Sequence, residues 1–488
     1  MVAGRPVDCR PDRSLGITRL AAGDFGSVSA LAGESARAAV SEDEVWAQLR
    51  QGTVLIVGLS ERTGLPAVQL LEAKGVRYRI SDCASRAELE PLLARLQVAP
   101  EDLFCGPQQI HQLDGITEVL VAPGVPPTIP LLREARRRSL PVQVDIDFLY
   151  PVMAHKKIVA ITGTDGKTTT TTLTGELLKA LGSVVVAGNI GVSVLAKYDE
   201  LLGCDWLVLE VSSFMLEQLS RFRPTIAAIL NIAQDHIDRH ATPELYAAAK
   251  FDIVRYCEPG DVLVKNLDDP TLAAFCPQNV TVQTVSQTTR SADSYFSDGS
   301  FSVGGHSFRY SDCRLQGLAN IDNILTAATI AKLAGVAPAT IAERVKRFSG
   351  LRHRLQHLGS FRGVDIYEDS KASNVHAVDA ALRNFDRNVV LIIGGRDKGL
   401  DFTVLRAHAR RIKCLVCYGE AGETLRDAVG LPGALYCYDF EEAVRVAAGQ
   451  CQAGDVLLLS PGCTSWDQHD NYEVRGDLFQ RLAPQCFA

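Results

Sequence analysis

The sequence predicts an α/β protein of three domains, and three observations carry that expectation. From residue 53 onward, short apolar runs of strand length alternate with amphipathic helical stretches, the pattern of parallel sheets covered by helices. The alternation restarts at "KKIVAITGTDGKTTTTTLTGELLKALG" and again after "RFSGLRHRL". A chain of 488 residues, 47% hydrophobic and 22% charged, divides into several cores rather than one. The expected boundaries are an N-terminal extension over 1–48 and domains over 49–153, 154–348 and 349–488.

The extension is rich in Ala, Gly, Ser, Arg and acidic residues and lacks the apolar core of a secretory signal. It is expected to be mobile up to "SEDEVWAQLRQ", which reads as a short helix. The first domain opens with the strand "TVLIVGL", the helix "GLPAVQLLEAKG" closed by Gly75, the strand "VRYRISD" and the strand "ITEVLVAPGV". Asp82 stands at the tip of the second strand, where acidic residues hydrogen-bond a ribose or a base in such sheets. The loop "GLSERTG" has Gly58 and Gly64 but lacks the middle glycine of a dinucleotide fingerprint.

The second domain begins with a buried strand, a glycine turn and a helix, then continues through "DWLVLEVSS" and "IAAILNI" to a helix ending near Ala331 to Gly335. Polar, Gly/Ser-rich alternation from Val280 to Cys313 reads as edge hairpins. The third domain alternates again: "GVDIYEDS", a helix from Asn374, "NVVLIIGG", "CLVCYG", "DVLLLSPG" and a final helix.

Net charge is −7 with a pI near 5.9, so no global positive field favours nucleic acid or an anionic membrane. Apolar runs such as Val389 to Ile393 fall far short of a membrane span. Thirteen cysteines without framework spacing suit reduced thiols in a cytoplasmic protein. Cys414 and Cys417 lie three apart on a strand, facing opposite sides, and are expected to be core residues rather than a metal or redox pair.

The candidate chemistry starts at "GTDGKTTT". Gly163, Thr164, Asp165, Gly166, Lys167, Thr168 and Thr169 form a turn between a strand and a helix N-terminus, the setting in which backbone N–H groups from Thr164 to Thr168 bind phosphate. Lys167 would neutralise charge and the Thr168 hydroxyl would suit Mg²⁺. The spacing is shorter than the common P-loop, and five threonines can also be no more than a poor helix start. Glu210 in "LVLEVSSF" ends a buried strand, where a carboxylate is costly unless it meets a cation, bound or built in. "NIAQDHIDRH" delivers Asp235 and His236 from another strand end, followed by Lys250, whose alternative role is a surface ion pair with Asp235 or Asp238. Three strand ends thus converge on one rim, where ligands bind in such sheets.

These segments, with the "YAAAK" lysine and "NLDD", resemble the Mur ligases, ATP- and Mg²⁺-dependent enzymes that form peptide bonds in peptidoglycan precursors. The likeness covers about residues 53 to 485. It implies a Rossmann-like UDP-binding domain, a central P-loop ATPase-like domain and a Rossmann-like C-terminal domain that binds the amino acid. "EDSKASN", "GGRDKGLDF" and "LLLSPGCTSWDQHDNYEVRGDLF" resemble the D-glutamate-adding branch. That implies UDP-N-acetylmuramoyl-L-alanine, D-glutamate and ATP as substrates, an acyl-phosphate intermediate, and a monomer without nucleic-acid or membrane partners.

By the same resemblance the 163–169 loop holds ATP phosphates, and Thr168, Glu210, His236 and a CO₂-carbamylated Lys250 serve two Mg²⁺ ions. Asn320 and Asn323 approach adenine, while Arg354 and Asp369 contact phosphate and ribose. Asp82, Gly124 and Asn189 face the UDP-substrate. Lys371, Ser373, Lys398, Ser465 and Tyr472 surround D-glutamate. Asp165 stands where the family usually has Asn, and Ala319 where it usually has His. The rival readings are another amide ligase such as a folylpolyglutamate synthase, a catalytically silent scaffold, and a simple P-loop kinase.

Overall fold

A computed structural model of the chain describes residues 41–96, 102–233, 235–397 and 399–488. These fall into two compact units, one of residues up to Gln316 with Asn320–Phe348, the other of Gly317–Ala319 with Ser349–Ala488.

The first unit holds two sheets. Strands β1 (Thr53–Val57), β2 (Arg77–Asp82), β3 (Leu103–Cys105), β4 (Glu118–Val121) and β5 (Val142–Gln143) form a parallel sheet in the order β3-β2-β1-β4-β5. Val54, Leu55, Ile56 and Val57 are at most 1% exposed, which is why β1 reads as an unbroken apolar run: helices cover both faces. The order reverses direction at β1/β4, so the loops after these strands stand at a switch point, the place where such sheets bind ligands.

The second sheet comprises β6 (Lys157–Thr162), β7 (Val184–Gly188), β8 (Trp206–Glu210), β9 (Ile226–Ile229), β10 (Val262–Asn266), β11 (Thr281–Ser286), β12 (Ser294–Ser297), β13 (Ser300–Val303) and β14 (His306–Arg309). Their order is β14-β13-β12-β11-β10-β9-β6-β8-β7, with β12, β13 and β14 antiparallel at one edge, as the alternation before Cys313 indicated. Parallel pairing of β6 with both β8 and β9 sets Ile161 opposite Glu210 and Thr162 opposite Ile229. The carboxyl ends of all three strands therefore share one rim.

The two sheets of this unit share a continuous apolar cluster running from Trp46 to Val280. The helix Glu42–Leu49, expected from "SEDEVWAQLRQ", belongs to it and opens with a Ser41–Glu44 capping box, so residues 41–48 of the expected mobile extension are docked; residues 1–40 of that extension lie outside the described residues. Trp46, 1% exposed, donates from Nε1 to Tyr198 OH at 2.6 Å, Tyr198 OH donates to Glu42 Oε1 at 2.6 Å, and Lys74 Nζ donates to the same carboxylate oxygen at 2.9 Å.

The second unit is a six-stranded sheet of β15 (Gln356–Phe361), β16 (Val364–Glu368), β17 (Val389–Gly394), β18 (Ile412–Tyr418), β19 (Leu435–Cys437) and β20 (Val456–Gly462). The order is β15-β16-β20-β17-β18-β19, with β15 antiparallel and shifted in register between His357 and Gly359. Apolar clusters lie on both faces of this sheet. Cys414 is half-buried and Cys417 buried on β18, each a free thiol. Among the described residues no helix is long and apolar enough to cross a membrane.

Candidate active site

The turn after β6 is built by glycine conformations. Gly166 has φ of 80°, and a methyl there would sit 2.1 Å from Asn323 Oδ1, so only glycine fits before the helix Lys167–Leu178. Asn231, at the end of β9, organises the loop's first half: its Oδ1 accepts from Thr164 N at 3.0 Å and Asp165 N at 2.8 Å, and its Nδ2 donates to Asp165 O at 3.2 Å. The Thr164 side chain reaches Ala233 O and Tyr246 OH, both at 3.2 Å. The expected anion cradle from Thr164 to Thr168 is thus narrowed, because the first two N–H groups are spent on Asn231. Asp165 is held through its backbone while its side chain is exposed, so the departure from Asn leaves this contact intact.

Lys167 Nζ folds back to donate to Gly163 O at 2.9 Å and Thr164 O at 2.7 Å. Lys250, 2% exposed, donates to the same Gly163 carbonyl at 2.8 Å. Its position excludes the surface ion pair: burial, and then the neighbouring Lys167 charge, pull its pKa down to about 7. Glu210 is 2% exposed; Asn189 Nδ2 donates to its Oε1 at 2.9 Å, and its buried Oε2 has no hydrogen-bond partner. His236 is exposed, adopts φ of 50° and lies 4.8 Å, ring to ring, from Phe214.

Hard-cation chemistry fits these donors. Mg²⁺ is held by one or two carboxylates with substrate phosphates and waters rather than by a full protein cage. The orphaned Glu210 oxygen and the hydroxyl of Thr168 supply that kind of partial set. Among the described residues no group of three His, Cys, Asp or Glu could hold a metal ion by itself.

Asn323, 5% exposed, accepts from Thr170 Oγ1 at 3.0 Å and donates to Asn320 Oδ1 at 2.9 Å, which fixes it against the loop helix. Asn320 is half-buried and donates to Gln316 O at 2.7 Å. Asp82 accepts from Leu59 N at 2.7 Å and Ala84 N at 2.8 Å, pinning the loops after β1 and β2. Gly124 has open space at its Cα, and its carbonyl accepts from Arg239 Nη1 at 3.2 Å. Arg239 also pairs with Glu217, so the segment carrying His236 is tied to the loop after β4.

The second unit holds the remaining residues. Asp369 accepts from Leu355 N at 3.0 Å and Ser460 Oγ at 2.9 Å, and burial pushes its pKa up to about 7. Arg354 is exposed. Lys371 Nζ donates to Tyr472 OH at 2.9 Å and lies 4.5 Å from that ring's centre, while Ser465 is 2% exposed and Ser373 half-buried. Lys398 lies outside the described residues. Asn231 and Arg475 were given no role by the sequence, and Arg239 was seen only as one of a run of charges; Asn231 had a signal, since it opens the "NIAQDHIDRH" segment just after β9.

Comparison with known proteins agrees with this geometry. Residues 161–331 match the Mur ligase middle domain and residues 353–463 the Mur ligase, glutamate ligase domain. The chain belongs to the Mur ligase family. Relatives named UDP-N-acetylmuramoylalanine--D-glutamate ligase include one from Shouchella clausii, 38% identical over 87% of this chain and 95% of its own length. Those from Geobacillus kaustophilus and Bacillus subtilis are 36% and 34% identical, over 87% and 88% of this chain and 96% and 97% of their own. Two solved structures share the three-domain fold: MurF ligase from Thermotoga maritima in complex with ADP (TM-score 0.54, 17% identity, 91% of this chain and 96% of that one) and UDP-N-acetylmuramate-alanine ligase MurC from the same organism (TM-score 0.53, 16% identity, 89% and 98%).

Proposed function

We propose that this chain catalyses the ATP-dependent addition of D-glutamate to UDP-N-acetylmuramoyl-L-alanine in cytoplasmic peptidoglycan precursor synthesis, acting as a monomer. The observation that carries the reading is the convergence of the glycine turn after β6, the orphaned Glu210 oxygen after β8 and the buried Lys250 amine beside Gly163 at one rim.

The acceptor carboxylate of the sugar nucleotide attacks the γ-phosphorus of ATP, the bond to the bridging oxygen breaks, and ADP leaves. The amine nitrogen of D-glutamate then attacks the acyl carbon, the bond to phosphate breaks with its electron pair leaving on phosphate, and the amine releases its surplus protons to water. The loop from Gly163 to Thr169 orients the phosphates, and Lys167 turns from its carbonyl partners to meet the transferring charge. Asn320 and Asn323 border adenine; Arg354 and Asp369 serve phosphate and ribose. Asp82, Gly124 and Asn189 position the sugar nucleotide. Lys371, Ser373, Lys398, Ser465 and Tyr472 bind the two carboxylates of D-glutamate, which demand cations and hydroxyl donors.

Thr168, Glu210, His236 and carbamylated Lys250 would hold two Mg²⁺ ions, which would neutralise phosphoryl charge. The depressed pKa of Lys250 supports carbamylation, since the neutral amine is the form that adds to CO₂, and the adduct exchanges a positive charge beside Lys167 for a negative one.

A phosphate-release assay with a panel of amino acids tests the reading. Release is expected to require ATP, the sugar nucleotide and D-glutamate together. Equal activity with L-glutamate or D-alanine overturns it, and so does a stable phosphorylated product formed without any amine.

A further inference from the structure

Arg475 is wholly buried, at 0% exposure, on the helix Tyr472–Gln485. Its Nε donates to Ser370 Oγ at 2.9 Å, one Nη donates to Tyr418 OH at 3.0 Å, and the other to Ser370 O at 2.8 Å and Cys463 O at 3.2 Å. Tyr418 ends β18, Ser370 lies just after β16 and Cys463 just after β20. One guanidinium therefore ties together three strand ends on the carboxyl edge of the sheet. Every acceptor is neutral, and among the described residues no carboxylate pairs with it. Burying a charge is costly even with the Glu368 carboxylate beside the neighbouring Gly476, and core packing alone would be served better by an apolar side chain.

Two of the three strand ends, those of β16 and β20, lead into the amino-acid-binding candidates. Ser370 precedes Lys371 and Ser373 on one loop, and Cys463 precedes Ser465 on another. Ser370 Oγ donates to Tyr472 O at 2.8 Å, and Lys371 Nζ reaches Tyr472 OH, so the network runs unbroken from Arg475 to that set.

We propose that Arg475 is the positioning residue of the amino-acid site: it sets the 370–373 and 463–465 loops against each other, and its buried charge, paired directly with no carboxylate among the described residues, biases the site toward an amino acid carrying two carboxylates. This rests on the assignment of D-glutamate as substrate. It assigns no direct contact with substrate to Arg475.

Steady-state kinetics of the full-length Arg475→Gln and Arg475→Lys enzymes test it. In Arg475→Gln the KM for D-glutamate is expected to rise about tenfold or more, with KM for ATP and for the sugar nucleotide moving no more than about twofold. Preference for D-glutamate over D-glutamine should narrow in Arg475→Gln and recover in Arg475→Lys, because charge returns while the geometry of the fork does not. A general loss of structure would instead move all three KM values and the melting temperature together, which overturns the proposal. If Arg475→Gln does not fold, Tyr418→Phe, which deletes one arm, is expected to raise KM for D-glutamate alone, about threefold; an unchanged KM there overturns the assignment. Wild-type enzyme that turns over without preferring D-glutamate sinks the functional reading itself, whereas an active, selective wild type with unaffected variants sinks only the role of Arg475.

Discussion

Lys250 combines a buried amine, one carbonyl partner and a neighbouring cation, and its behaviour with pH follows. In the unfolded chain the amine titrates at its ordinary 10.5, in the folded protein at about 7. Between those values the unfolded state binds more protons, so this residue's cost to stability is largest at and below pH 7 and fades as pH rises. In CO₂-free buffer, Lys250→Met is expected to melt above the wild type near neutral pH, with the gap closing by about pH 10; a gap independent of pH contradicts the buried neutral amine. Activity should respond in the opposite sense. Lys250→Ala is expected to be nearly inactive and partly restored by acetate, and ordinary turnover in CO₂-free buffer would refute carbamylation. The placement of Lys167 at the start of a helix after β6 and of Glu210 at the end of β8 was legible in the sequence from the glycine turn and the strand ends, whereas the burial of Lys250 was not, since its helix also allowed a surface ion pair. Arg475 was not, because "YEVRGD" at the start of a helix looks like a solvated face; only the tertiary fold turns that position inward.

At the scale of elements, the glycine turn after β6 is a set of backbone conformations locked by Asn231, just after β9, and by Asn323 on the helix Leu318–Ala334. Gly166→Ala puts a methyl on Asn323 Oδ1 in a left-handed backbone and is expected to cost about 1–3 kcal/mol of stability and most of the turnover. Denaturant titration with parallel kinetics checks this, and a variant matching wild type in both would contradict the close fit of Gly166 against Asn323. The helix Glu42–Leu49 is the second case. Trp46→Ala removes the large side chain and the bond to Tyr198, and thermal melting is expected to show a loss of about 3–5 kcal/mol. Alternating apolar runs made the strands readable from sequence. The docking of this helix was not, since its polar composition hides a single tryptophan whose hydrogen-bond partner, Tyr198, stands 152 residues away in the chain.

The molecule as a whole carries its stability in two compact units with separate apolar clusters. Calorimetry is expected to resolve two transitions, with ATP analogues raising the one assigned to the first unit; one sharp transition insensitive to nucleotide would contradict this. The register shift in β15 has a further consequence. An outermost strand with regular spacing offers its unpaired amides and carbonyls to any other chain, but β15 is broken between His357 and Gly359, and the opposite margin, β19, is only three residues long. Neither margin presents a straight template, so this half of the protein is protected against recruiting foreign strands and should remain dispersed at concentrations where a regular, exposed ribbon would nucleate fibres.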